Sequence, residues 1–164
     1  MKSKIFISGS SGFIGFHTAK KFLDGGFKVY GFDSMNNYYD INLKKSRLKI
    51  LKKYKNFIFT KGSLENEKKL FNCIFKFKPQ IIIHLAAQAG VRYSIKNPNT
   101  YLNSNILGTF NILKAASKIK IKHLIITRQE AHASRFNIHI CESNPCGYFV
   151  VCLSHAPIGY ILMP

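Results

Sequence analysis

Over the first 127 positions, apolar residues follow two alternating rhythms. Short apolar runs suited to strands alternate with longer stretches whose apolar positions recur every three or four residues, as on one face of a helix. The runs predict strands at Lys4–Ser8, Phe27–Phe32, Phe57–Lys61, Gln80–Leu85 and His123–Thr127. Between them the pattern predicts helices at about Phe13–Leu23, Ile41–Tyr54, Leu64–Phe77 and Asn99–Lys118. Asp24-Gly25-Gly26 closes the first helix, and the third stops before Pro79. In the second helix Leu43, Ile50, Leu51 and Tyr54 share a face, with lysines opposite. The third is expected to bury Leu70, Phe71, Ile74 and Phe75. In the fourth, Leu102, Ile106, Thr109, Leu113 and Ala116 form a single stripe expected to face the core. The fourth strand is nearly all apolar, as a central strand covered on both faces should be. Repeated strand–helix–strand units make this an α/β chain with a doubly wound parallel sheet.

The first strand runs into Gly9-Ser10-Ser11-Gly12-Phe13-Ile14-Gly15, three glycines at a spacing of three just where a helix begins. A strand that turns tightly into a helix presents free backbone N–H groups and the positive end of the helix dipole, which suits a pyrophosphate. Gly9 permits a left-handed turn, Gly12 lets backbone approach a ligand, and Gly15 lets helix and strand pack closely. The second strand ends beside Asp33, 24 residues beyond Gly9, near the offset expected of an acid that accepts the adenosine ribose hydroxyls. That carboxylate would repel a 2′-phosphate and no Arg adjoins it, so NAD is expected rather than NADP. Glycine loop, strand, helix and acid together predict a Rossmann nucleotide-binding domain over residues 1–127.

Composition adds a discontinuity. The chain has 164 residues, enough for one well-buried domain, and carries a net charge of +18. Its lysines are scattered over helix faces and loops without a recognition motif, which predicts a solvated basic surface and no specific nucleic-acid partner. No apolar run is long enough for a membrane span, and Met1-Lys2-Ser3-Lys4 leads into only three apolar residues, unlike a secretory signal. A cytoplasmic setting is therefore expected, with Cys73, Cys141, Cys146 and Cys152 as thiols. Residues 1–123 hold all 21 Lys and the whole net charge, whereas residues 124–164 hold none and are neutral. Phe, Tyr, Met, Ile, Asn and Lys, encoded by A/T-rich codons, make up 67 of the first 123 residues but 13 of the last 41. The shift has the signature of a changed reading frame. Residues 128–164 are accordingly expected to be an irregular tail without a recognisable domain. The spacing of His139, Cys141, Cys146 and His155 matches no standard metal site, and none is expected.

With the glycine loop, Asp33 and Ile81-Ile82-Ile83-His84-Leu85-Ala86-Ala87-Gln88-Ala89-Gly90-Val91-Arg92-Tyr93-Ser94 in view, the chain resembles the extended short-chain dehydrogenases that act on nucleotide sugars. It is most similar to the UDP-glucuronate 4-epimerases, over residues 2 to about 126. Ala86–Ser94 is the most specific piece. The Asn36–Asp40 loop and Tyr101-Leu102-Asn103-Ser104-Asn105-Ile106-Leu107-Gly108-Thr109 also fit that subgroup. The resemblance implies an NAD site made by Gly9, Ser11, Gly12, Phe13, Ile14, Gly15, Asp33, Ser63, Leu64, Leu85, Ala86, Ala87, Gln88 and Asn105. Ser63 stands where the family usually has an Asp at the adenine. Arg92 and Ser94 fall on the substrate side, where Arg92 faces a nucleotide-sugar anion or, alternatively, caps a helix. The resemblance leaves a homodimer open to an intact parent.

Such an epimerase needs a tyrosinate to take the sugar hydroxyl proton, with a nearby Lys lowering its pKa. The family supplies these as Tyr-x-x-x-Lys, with a Ser-rich turn after the fifth strand. None of the eight Tyr here has Lys four residues on, and Thr127-Arg128-Gln129-Glu130-Ala131-His132 replaces the turn. No catalytic residue is therefore assigned, and an inactive fragment is expected. His84, inside the fourth strand, is expected to pack in the sheet.

Overall fold

A computed structural model describes residues 2–38, 40–88, 95–127, 137–140 and 149–154, the last two stretches and Thr127 as backbone. The strands are β1 (Lys4–Ser8), β2 (Lys28–Asp33), β3 (Phe57–Lys61), β4 (Ile81–His84), β5 (His123–Thr127), β6 (Asn137–Ile140) and β7 (Phe149–Ser154). Between them lie α1 (Phe13–Asp24), α2 (Ile41–Leu51) and α3 (Glu67–Phe77). A longer helical stretch follows β4: α4 (Pro98–Tyr101), a π-helical segment (Leu102–Leu107) and α5 (Gly108–Ser117). The sheet order is β3-β2-β1-β4-β5-β7-β6. All neighbours through β7 run parallel, and β6 pairs antiparallel at the edge. The chain reverses direction across the sheet between β1 and β4. That switch point opens a crevice beyond the strand ends, where ligands of doubly wound sheets bind.

Alternation along the strands sends residues to two cores. Ile5, Ile7, Val29 and Ile83 pack under Phe16, Ala19 and Leu23 of α1 and Leu51 of α2. Phe6, Phe32, Ile82 and Leu124 face the other way, under Leu70, Phe71 and Ile74 of α3 and Ile112, Ala115 and Ala116 of α5. With both faces covered, the centres of β1 (Ile5–Ile7) and β4 (Ile81–Ile83) are wholly apolar, as their sequence implies.

The sheet does not end at β5. The run Phe149-Val150-Val151-Cys152-Leu153 is aromatic and β-branched, and it pairs in parallel register with β5 from His123↔Phe149 to Thr127↔Leu153. The stretch expected to be irregular thus adds two strands and covers one edge of β5.

Helix faces depart from the expected pattern in three places. α3 begins at Glu67, because Asn66 caps it by accepting from Lys69 N–H at 3.0 Å; Leu64 is left in the preceding loop, and Phe77 takes the fully buried place expected of Phe75. In α2 the buried residues are Lys44 and Leu51, while Leu43 and Ile50 are exposed. Lys44 can turn inward because Asn36 accepts from its Nζ through both Oδ1 (2.6 Å) and the main-chain oxygen (3.1 Å).

Of the stripe Leu102-Ile106-Thr109-Leu113-Ala116, only Ala116 is buried in the core. Leu102, Ile106 and Leu113 are 52%, 63% and 43% exposed. The buried set is Gly108, Asn111, Ile112, Ala115 and Ala116. The π segment explains the shift: bonds to the fifth residue rather than the fourth widen the turn and rotate the face that follows. Asn111 then donates Nδ2–H to Leu64 O at 2.9 Å, and Lys114 pairs with Glu67 at 2.7 Å, so α5 is fixed to the loop before α3. Two adjacent truncations separate the faces. Ile112→Ala is expected to cost about 2–5 kcal/mol in urea unfolding and Leu113→Ala about 1 kcal/mol or less, the reverse of what the sequence stripe implies.

Candidate functional site

At the end of β1, Gly9 adopts φ +74°, and a Cβ there would stand 2.8 Å from Ala86 N. The turn after β4 therefore lies directly on the glycine loop. A Cβ on Gly15 would come within 2.0 Å of Gly9 O, so α1 closes onto the same loop. Gly9 N–H is bound to Phe32 O at 2.7 Å, which locks the loop to β2. Gly12 is the N-cap of α1 without a side-chain cap, and the first turn carries no acid. Its missing side chain leaves an approach open, since a Cβ there would meet only Gly9 O at 3.2 Å. Ser10 and Ser11 are fully buried, yet neither hydroxyl has a partner. Free amides, a helix dipole, no neighbouring acid and two unspent hydroxyls fit the diphosphate of a dinucleotide.

Asp33 is buried at the end of β2. Oδ2 accepts from Ser11 N–H at 3.0 Å and Oδ1 from Met35 N–H at 2.8 Å. Each oxygen keeps a further lone pair for a ribose hydroxyl. Met35 holds φ 54°, a left-handed conformation that a non-glycine residue keeps only where its surroundings demand it. Here the demand comes from the Asp33 carboxylate.

Across the crevice, Leu85 and Ala86 N–H donate to Ser8 Oγ at 3.2 and 3.3 Å. With both donors on that oxygen, the Ser8 hydroxyl gives its own proton to His84 Nδ1 at 2.7 Å, and Nε2–H reaches Thr109 Oγ1 at 2.9 Å. Burial pushes the His84 imidazole down to about 4, so it is neutral near pH 7 and ties β1, β4 and α5 together. His84 packs in the sheet, as expected. Asn105 clasps the next turn: its Oδ1 accepts from Gln88 N–H at 2.7 Å and its Nδ2 donates to Gln88 O at 3.0 Å. It supports the crevice from behind, while Gln88 lines it.

One cleft gathers Gly9, Gly12, Asp33, Ser63, Leu64, Leu85, Ala86, Ala87 and Gln88 of the sequence-derived set. Ser11 lies under it, Gly15 behind the loop, and Phe13 and Ile14 are exposed at the start of α1. Arg92 and Ser94 lie outside the described residues. The cleft also contains Asn36, Tyr38, Lys44, Glu65 and Ser104, which the sequence pattern does not single out as site residues. Lysine on a helix reads as a solvent face, and Ser104 turns inward only through the π segment. Among the described residues no helix is long and apolar enough to cross a membrane.

Residues 6–136 match the family model described as GDP-mannose 4,6 dehydratase. A probable UDP-glucuronate 4-epimerase of Rhizobium meliloti is 45% identical over 120 residues, covering 73% of this chain and 35% of that protein. Protein CapI of Staphylococcus aureus is 49% identical over 122 residues, covering 74% and 36%. Among solved structures, UDP-glucuronic acid 4-epimerase from Bacillus cereus, in complex with UDP-glucuronic acid and NAD, superposes with a TM-score of 0.68 at 27% identity. It covers 80% of this chain and 44% of that one. UDP-glucose 4-epimerase from Brucella ovis in complex with NAD gives 0.65 at 25%, over 81% and 38%. The chain spans about a third of the length of the curated relatives it matches.

The His84 clasp has a pH signature. An imidazole near 4 in the fold and about 6.5 when unfolded binds more protons in the unfolded chain, so its contribution is complete above pH 6.5 and fades as pH falls toward 4. The unfolding free energy of the wild type, from urea titrations, is expected to drop over that window by up to about 3 kcal/mol from this group. His84→Gln should be less stable at pH 7 and show a flatter profile.

Proposed function

The chain belongs to the family of the GDP-mannose 4,6 dehydratase model, and from that premise we propose that it is the NAD-binding portion of a UDP-sugar 4-epimerase. In an intact enzyme the substrate would be UDP-glucuronate. The observation that carries the reading is the single cleft in which the glycine loop, Asp33 and the Leu85–Gln88 turn converge. The relatives named as UDP-glucuronate 4-epimerases and the neighbours crystallised with NAD support it.

When bound, the dinucleotide supplies a hydride acceptor for the sugar C4. The chain's own residues bind and orient it. The free amides in the first turn of α1 would hold the diphosphate, and the remaining lone pairs of Asp33 would take the ribose hydroxyls. The Leu85–Gln88 turn, fixed by Ser8 and Asn105, walls the nicotinamide side. Residues 1–127 form this binding unit. No tyrosine is followed by lysine at the fourth position, so the sequence lacks the Tyr-x-x-x-Lys pair that would take the C4 hydroxyl proton. That absence favours a second reading, a dinucleotide-binding module that performs no chemistry by itself.

NAD is expected to raise the melting temperature of the purified chain, as a ligand that binds only the native state must. NADP should bind about tenfold or more weakly, because Asp33 repels a 2′-phosphate. Asp33→Ala should abolish the NAD-dependent rise. Incubation with UDP-glucuronate and NAD should yield no 4-epimer on chromatographic separation; measurable turnover would overturn the assignment as a non-catalytic portion.

A further inference from the structure

The acids of this basic chain are few, and the structure accounts for nearly all that it describes. Asp24 pairs with Lys20 at 2.8 Å, Glu67 pairs with Lys114 at 2.7 Å, and Asp40 accepts from Asn42 N–H at 2.8 Å as the cap of α2. The two that remain, Asp33 and Glu65, line the same cleft. Asp33 holds the glycine loop. Glu65 has no Lys or Arg within ion-pair distance among the described residues, although the chain carries 25 of them.

Glu65 is instead braced by hydroxyls. Ser63 Oγ donates to Oε2, and Ser104 Oγ donates to Oε1 at 3.0 Å. The braces come from opposite walls: Ser63 from the loop after β3, Ser104 from the π segment. A carboxylate has about four lone-pair sites, so two acceptor positions stay open after both hydroxyls have bonded. Two fixed donors also hold the group in one orientation.

Its place in the cleft sets what it meets. The cleft crosses the strand ends in the order β1, β2, β3: Gly9 and Gly12, then Asp33, then Gly62, Ser63, Leu64 and Glu65. A dinucleotide with its diphosphate on the glycine loop and its ribose at Asp33 carries its base one strand further, to the loop holding Glu65. There an oriented carboxylate attracts an amino group and repels a carbonyl oxygen.

We propose that Glu65, braced by Ser63 and Ser104, reads the base of the bound dinucleotide by accepting a hydrogen bond from the exocyclic amino group of adenine. This rests on the dinucleotide reading above and adds the residue that sets base specificity. Nicotinamide hypoxanthine dinucleotide, which puts a carbonyl oxygen where adenine has that amino group, is the probe.

Calorimetric titration and thermal shift of the full chain with NAD and with the hypoxanthine analogue should show NAD binding about tenfold or more tightly. Glu65→Ala should bring NAD down to the level of the analogue, leaving the two within about twofold. Glu65→Gln, nearly the same size, should also lose most of the preference, and it decides the matter if the alanine variant does not fold. A wild-type chain that binds both dinucleotides within twofold overturns the assignment of Glu65 while leaving NAD binding intact. A folded Glu65 variant that keeps the full preference overturns it equally. If the wild type binds neither dinucleotide at millimolar concentration, the dinucleotide reading itself fails and the base-reading role falls with it.

Discussion

One carboxylate holds the site together. Asp33 bonds the amide of Ser11 in the glycine loop with one oxygen and the amide of Met35 with the other, so a single buried side chain ties the glycine loop to the loop after β2. A buried charge persists only where hydrogen bonds replace its lost hydration, and here the backbone supplies them. The consequence is that one carboxylate fixes the glycine loop, the end of β2 and left-handed Met35 relative to one another.

The second constraint is the π segment. A regular helix cannot turn adjacent residues to different tasks on one wall and still present Gly108, Asn111, Ile112 and Ala115 to the core. By widening one turn, Leu102–Leu107 lets Ser104 reach Glu65 and Asn105 reach Gln88 while α5 packs on α3. The same widening leaves Leu102, Ile106 and Leu113 exposed. Packing regularity has been given up in the part of the helix that borders the cleft, where such turns recur.

Much of this was legible in the sequence. Strand positions, helix order and the glycine loop follow from alternation and from residues whose backbone demands are unusual, Gly9 above all. Asp33 was legible because its offset from the loop is set by the length of one helix and one strand. The inward turn of Lys44 was not, because a lysine counts as polar whichever way its amine finds acceptors. Nor was the face of α5: periodicity assumes 3.6 residues per turn throughout, and one π segment is enough to defeat it. Glu65 escaped for a related reason, since its brace on Ser104 depends on that same turn. The two tail strands lie beyond the alternating pattern, and the pairing of β7 with β5 and of β6 with β7, rather than any local amphipathic signal, defines them.

The cleft is assembled from neighbouring strand ends and closed by one helix. Among the described residues the cleft is lined by the loops after β1, β2 and β3 and by the start of the loop after β4, Leu85–Gln88, and it is closed by residues 104–111. Those parts brace one another: β1 to β4 through Ser8 and His84, β4 to the helix through Asn105, the helix to the β3 loop through Asn111 and Ser104. None of these contacts needs a residue beyond Asn111. Among the described residues, the side-chain bracing of the cleft therefore comes entirely from positions 8–111, and the two tail strands take no part in it.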